Sequence, residues 1–131
     1  MSNARFKVLF APEAAIEYEK LDNSVISIVD KAIDRLEERA DEVGTLLHNY
    51  QKTRLAGAKE IKLRDAGIRI IFKITDQTVN ILRVVYILAI DQRDRDRVFG
   101  IAHERYQEFK EDPLQAIEKG KNRTIKKQRK K

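Results

Sequence analysis

The stretch Ile61-Lys62-Leu63-Arg64-Asp65-Ala66-Gly67-Ile68-Arg69-Ile70-Ile71-Phe72 decides the fold. Apolar and basic residues alternate with a period of two on either side of Asp65-Ala66-Gly67, the pattern of two half-buried strands joined by a turn. Downstream, Val79 to Ile90 is rich in β-branched residues and is separated from Ile68 to Ile74 by Asp76 and Gln77, which predicts a third strand and hence an antiparallel meander. Upstream, Phe6, Val8 and Phe10 alternate as a short strand. Pro12 suits the first turn of a helix, and Ala14, Ala15, Tyr18 and Leu21 then recur at helical spacing. Ser24 is placed to cap a second helix, in which Val25, Ile28, Val29, Ala32, Ile33, Leu36 and Ala40 form one stripe, with Gly44 as its stop. Thr45 to Ala58 reads as a weakly patterned connection anchored by Leu46, Leu47 and Leu55, with room for a short helical turn. After Asp91, helical spacing returns in Val98, Ile101, Ala102, Arg105, Tyr106 and Phe109 and stops before Pro113.

The order β-α-α-β-β-β-α predicts an α+β fold. An N-terminal strand and a helical hairpin pack on a twisted antiparallel sheet, a C-terminal helix follows, and the second face of the sheet stays open. The chain has 131 residues, enough for one core, with 1–112 expected as the folded domain and 113–131 as a polybasic, disordered tail. No apolar run approaches the roughly 18 residues that span a bilayer, and no hydrophobic signal segment follows Met1 to Arg5, so a cytoplasmic protein without membrane contact is expected. Cys is absent, which excludes disulfides, thiol nucleophiles and cysteine-ligated metal or iron–sulfur sites. Neither a metal nor another cofactor is expected.

The formal net charge of +6 divides unevenly: −4 over residues 1–51, +5 over 52–105, −3 over 106–118 and +8 over 119–131. Two basic zones therefore need separate explanations, because charge speaks to a partner only through its distribution. The terminal zone offers non-specific affinity for RNA or simply a solubilising end. The middle zone sets its cations among strands.

In that middle zone the run Lys62-Leu63-Arg64-Asp65-Ala66-Gly67-Ile68-Arg69, preceded by Leu55-Ala56-Gly57, resembles a signature of the RelE/ParE superfamily of bacterial toxins. The segment Gln92-Arg93-Asp94-Arg95-Asp96-Arg97-Val98-Phe99 is similar to the second motif of its RelE branch, and the opening strand and helix fit as well. The likeness covers about residues 4 to 109. It implies a RelE-like fold and a toxin that cuts messenger RNA at the ribosome without a metal and is silenced by a cognate antitoxin in a hetero-oligomer. The ParE branch, which poisons DNA gyrase, and a non-catalytic RNA- or ribosome-binding module on the same fold are the alternatives.

Metal-free RNA cleavage needs a 2′-hydroxyl deprotonated, charge on a five-coordinate phosphate stabilised and the leaving 5′-oxygen protonated. Guanidinium forks suit the second task. The resemblance assigns Arg64, Arg69 and Arg93 to matched positions. Lys62, on the strand face of Arg64 by the period of two, is a phosphate ligand or a base. Arg54, Lys59, Arg95, Arg97 and Phe99 are the candidates for RNA contact. Arg95 and Arg97 can equally neutralise Asp94 and Asp96, and Arg83 can pair structurally. Two positions depart from the family. Phe99 stands where a tyrosine is common, keeping a ring that stacks on a base but lacking the hydroxyl that moves a proton. Glu60 stands where a lysine is common, as a general base or as a salt-bridge partner of Lys62 or Lys73. His103, four residues after Phe99, is the candidate replacement for the missing hydroxyl, with His48 in the irregular connection set behind it. Tyr86 and Tyr106 are expected in the core.

Overall fold

Nine elements follow one another in the computed structural model: β1 (Phe6–Phe10), α1 (Pro12–Glu19), α2 (Asn23–Arg39), β2 (Thr45–Leu46), β3 (Lys59–Leu63), β4 (Ile68–Val79), β5 (Leu82–Asp91), α3 (Arg95–Glu111) and α4 (Pro113–Lys119). The structure describes residues 4–49, 53–92 and 95–122, with Arg95 by its backbone alone. One five-stranded sheet runs in the order β1-β5-β4-β3-β2. The meander is antiparallel as expected, but β1 lies parallel to β5, pairing Phe6 with Arg83 and Phe10 with Ile87, so the sheet is mixed. No described helix is long and apolar enough to cross a membrane.

Register sorts the side chains onto two faces, since directly paired residues point the same way. Ile61 pairs with Ile70 and Lys59 with Phe72, and Phe72 pairs on with Ile87. Together with Phe6, Val8 and Phe10 these make an apolar face. The buried stripe of α2, Ile26, Val29, Ala32, Ile33 and Leu36, packs into the same core. The Tyr18 ring of α1 stacks at 4.9 Å from that of Phe10, and its hydroxyl donates to Asp30 at 2.5 Å, which ties the two helices together. The opposite face carries Glu60, Lys62, Arg69, Ile71, Lys73, Tyr86, Ala89 and Asp91.

The expectation of an open second face is overturned. Helix α3 lies across its centre, with Phe109 stacked 5.0 Å from Tyr86 and the Tyr106 hydroxyl donating to the Ala56 carbonyl. Only the charged end of that face, at Glu60, Lys62, Arg69 and Asp91, is left beyond the helix. Tyr86 and Tyr106 are in the core, as expected.

Four local readings also change. Helix α2 begins at Asn23 after an extended Asp22, so Ser24 lies inside the first turn. The connection after Gly44 starts with the short strand β2 on the edge of β3. Strand β4 runs through Asp76 and Gln77, where an irregularity absorbs the polar pair, and the reversal falls at Asn80 and Ile81, both at positive φ. Finally, the domain boundary at 112 moves outward. Asp112 caps α4 by accepting from the Gln115 N–H, and Phe10 and Lys121 exchange backbone hydrogen bonds of 2.7 and 2.9 Å on the outer edge of β1. A free strand edge supplies donors and acceptors even to a polar sequence, which composition does not reveal. The greater part of the basic tail, 123–131, lies outside the described residues.

Candidate functional site

A hollow of about 280 Å³ opens at the charged end of the sheet, lined by Leu46, Leu47, His48, Asn49, Glu60, Lys62 and Phe99. Strand β3 supplies Glu60 and Lys62, the segment after β2 supplies His48, and α3 supplies Phe99 from its first two turns. A larger hollow, about 420 Å³, lies between α1, α3 and α4, but Glu13, Glu108, Glu111 and Asp112 outnumber Arg105 and Lys119 on its walls. That charge repels a phosphate backbone. Hence the smaller hollow is the candidate site for a phosphate.

Lys62 is exposed and pairs directly across the sheet with Arg69. The Arg69 guanidinium reaches Glu60 on the same face, Nη1 to Oε2 2.6 Å, and the Glu60 side chain is only 4% exposed. Glu60 therefore has a salt-bridge partner, but it is Arg69 rather than Lys62 or Lys73. Lys73 instead donates to the Gly57 carbonyl. This pair is fixed by burial: an unpaired carboxylate at that depth costs several kcal/mol, so Arg69 holds it in place. The pair also leaves Lys62 as the cation of the hollow whose charge has no paired carboxylate in the described residues.

Three expected members of the set stand elsewhere. Arg64 is past the end of β3, in the turn closed by the Gly67 N–H on its carbonyl, so it does not share a strand face with Lys62. Lys59 is on the apolar face, where it donates to the Ala40 carbonyl at 3.1 Å and sits 5.9 Å from the centre of the Phe72 ring. That position removes it from the group around the hollow. Arg97 pairs with Asp91, Nε to Oδ2 3.4 Å, and Asp94 lies outside the described residues. Arg93 and the Arg95 side chain lie outside the described residues. Arg83 is engaged structurally, donating to the Thr75 carbonyl and facing Asp76.

Phe99 is in the hollow, though only 4% exposed, so it forms a wall more than a free stacking surface. His103 is not among the lining residues. It lies one turn further along α3, and its Nδ1 accepts the Arg54 N–H at 2.7 Å, while Gln107 donates to the Arg54 carbonyl. These two bonds pin the backbone at 53–54 to the helix and give Arg54 a fixed place beside it. His48, set behind His103 on sequence grounds, is the histidine that reaches the hollow. Helical spacing correctly put His103 near Phe99, but nothing in a linear pattern could show that the irregular connection folds back over β3.

Comparison with known proteins agrees with this architecture. A RelE-like toxin protein of Escherichia coli is 27% identical over 104 residues, spanning 77% of this chain and 97% of its own. Among solved structures, a free-state variant of the E. coli toxin RelE with two arginines replaced by alanine superimposes with a TM-score of 0.59. It shares 24% identity and the match covers 78% of this chain and 97% of that one. The chain is RelE-like in sequence and in fold. The isolated E. coli RelE toxin gives a TM-score of 0.50 at 24% identity, over 77% and 98% of the two chains. No family model matches the chain. The charged end of this chain holds a carboxylate locked to Arg69, a phenylalanine wall and a histidine from the β2–β3 connection.

Proposed function

We propose that this chain is a toxin of a toxin–antitoxin pair that cleaves messenger RNA at the ribosome and so inhibits translation. The observation that carries the reading is the apposition of Lys62 and Arg69 across β3 and β4, beside a hollow walled by Phe99, on a RelE-like fold. Two cations on one strand pair present donors to a phosphate, and the guanidinium can give one edge to Glu60 and keep its other N–H groups for phosphate oxygen. Charge building on a five-coordinate phosphate is stabilised most where such donors stand fixed before reaction. Arg93, Arg95 and Arg97 remain candidate RNA contacts from their sequence positions, and Arg54 adds positive charge from the pinned connection. A cognate antitoxin then has an electrostatic handle: an acidic segment laid over this end would cover the site.

The test is induction in a bacterial host followed by mapping of message ends at ribosomes. Growth arrest with cleaved messages is expected, and Lys62→Ala should relieve it, because Lys62 is exposed and its loss leaves the core untouched. Arg69 is better replaced together with its partner, as Arg69→Gln with Glu60→Gln, since Arg69→Ala alone strands a buried carboxylate. Arrest with intact RNA and blocked DNA supercoiling would transfer the protein to the gyrase-directed reading. Ribosome binding without cleavage would favour the non-catalytic module, a reading to which the neutralised Arg69–Glu60 pair and the missing hydroxyl at Phe99 lend weight.

A further inference from the structure

The cleavage step described above ends with a proton delivered to a leaving 5′-oxygen, and the usual sources are poor at this site. Phe99 has no hydroxyl. The Glu60 carboxylate is engaged by Arg69 at 2.6 Å and buried away from a substrate. Lys62 is assigned to the phosphate itself, as the cation of the hollow unpaired among the described residues. His103 already uses Nδ1 to accept the Arg54 N–H and does not line the hollow.

We propose that His48 is the general acid of this site, giving its proton to the 5′-oxygen of a phosphodiester held in the hollow by Lys62 and Arg69. The inference rests on the RNA-cleaving reading and adds a residue that the family resemblance does not assign. His48 is an exposed side chain on a fixed piece of backbone. On one side Leu47 is buried and its N–H donates to the Ala58 carbonyl at 2.8 Å; on the other, Asn49 Oδ1 accepts the Ala56 N–H at 3.2 Å. Two anchors flanking one residue position its side chain without a helix or strand. His48 lines a space that it shares with Lys62, Glu60 and Phe99, and it makes no hydrogen bond to a described residue.

In the step, the ribose 2′-oxygen forms a bond to phosphorus and its proton passes to solvent water. The bond from phosphorus to the 5′-oxygen breaks with its electron pair on oxygen, and the His48 imidazolium protonates that oxygen, leaving a 2′,3′-cyclic phosphate and a 5′-hydroxyl. His48 recovers its proton from solvent. The charged groups facing it are Lys62 and Glu60 from β3, the latter neutralised by Arg69 of β4, while α3 contributes the uncharged Phe99.

Single-turnover cleavage of ribosome-bound message by the full chain, measured across pH 5.5 to 8.5, tests this. His48→Ala should slow cleavage by about 10²–10⁴-fold, the usual span for a positioned proton donor, and abolish the alkaline decline in rate expected of wild type. His48→Gln should not rescue it. A message carrying sulfur in place of the scissile 5′-oxygen needs no proton on its leaving group, so His48→Ala should cut it close to the wild-type rate. Parental cleavage by His48→Ala would overturn the assignment, as would a loss that the sulfur substrate does not restore. If wild type itself cleaves no ribosome-bound message, the endonuclease reading falls and the assignment falls with it.

Discussion

On one face of the sheet, Ile70, Phe72 and Ile87 share a core with Ile33 and Leu36 of α2; on the other, α3 buries Val98, Ala102 and Phe109 and adds a set of directed polar bonds. Tyr106 donates to Ala56, His103 accepts from Arg54, Gln107 donates to the Arg54 carbonyl, and Arg105 joins Glu17 at 2.9 Å while also donating to the Leu88 carbonyl. The first face is held by area removed from water, which is non-directional and tolerant of small shifts. The second adds to its buried area directional contacts at particular backbone groups, and those contacts fix the 53–58 connection over the sheet. The stable face carries the fold and the directional face shapes the site.

Substitutions can break this contrast. Ile33→Ala empties a fully buried position on the apolar side and should cost about 2–5 kcal/mol of stability in urea unfolding, the range for a large-to-small core change. Gly57→Ala should cost about 1–3 kcal/mol, because Gly57 sits at φ +96° and an added Cβ would lie 2.9 Å from the Tyr106 hydroxyl. Part of that loss should vanish in a Tyr106→Phe background, which removes the atom it strikes. Tyr106→Phe alone should cost about 1 kcal/mol, the net worth of one hydrogen bond.

The pH dependence sharpens the same contrast. Burial, reinforced by the carboxylates of Glu13 and Glu108, pushes the Tyr86 hydroxyl up to about 12. A group whose proton is held more tightly in the folded state contributes no change below its unfolded value, near 10, and the folded state loses stability as pH rises from there towards 12. Ultraviolet titration should find this tyrosine ionising late, and Glu13→Gln with Glu108→Gln should bring it down only in part, because burial is the larger cause. The smallest effect belongs to Asp41→Asn. Arg5 holds the Asp41 carboxyl below its usual range through a fully exposed pair at 2.8 Å, so melting curves at moderate salt should barely move.

Strands β3 and β4 were legible because a one-residue slip would turn Ile61, Leu63, Ile68 and Ile70 from core to solvent, so period and register carry the same message. The α2 stripe was legible for the same reason at a period of 3.6. Less could be read where backbone geometry decides. The reversal at Asn80 and Ile81 puts a β-branched residue, 94% exposed, at positive φ, where turn propensities would never place one. The parallel pairing of β1 with β5 joins residues some 77 positions apart, Phe6 with Arg83, and follows from which edge the helical hairpin leaves accessible. At the charged end, Lys62 and Arg69 were singled out from strand pattern and family resemblance together. His48 and the Glu60–Arg69 pair were not, because their meeting depends on the path of the connection and on which carboxylate is buried.

The sequence by itself determined the element order, the apolar core and the concentration of cations in the middle of the chain, since periodicity and composition are local properties. Only the tertiary structure decided that α3 covers the centre of the second face, that residues 113–122 continue the fold, that Glu60 is neutralised by Arg69, and that His48 rather than His103 enters the hollow. Each of these depends on where distant segments satisfy their backbone hydrogen bonds and buried charges, which no short-range pattern encodes.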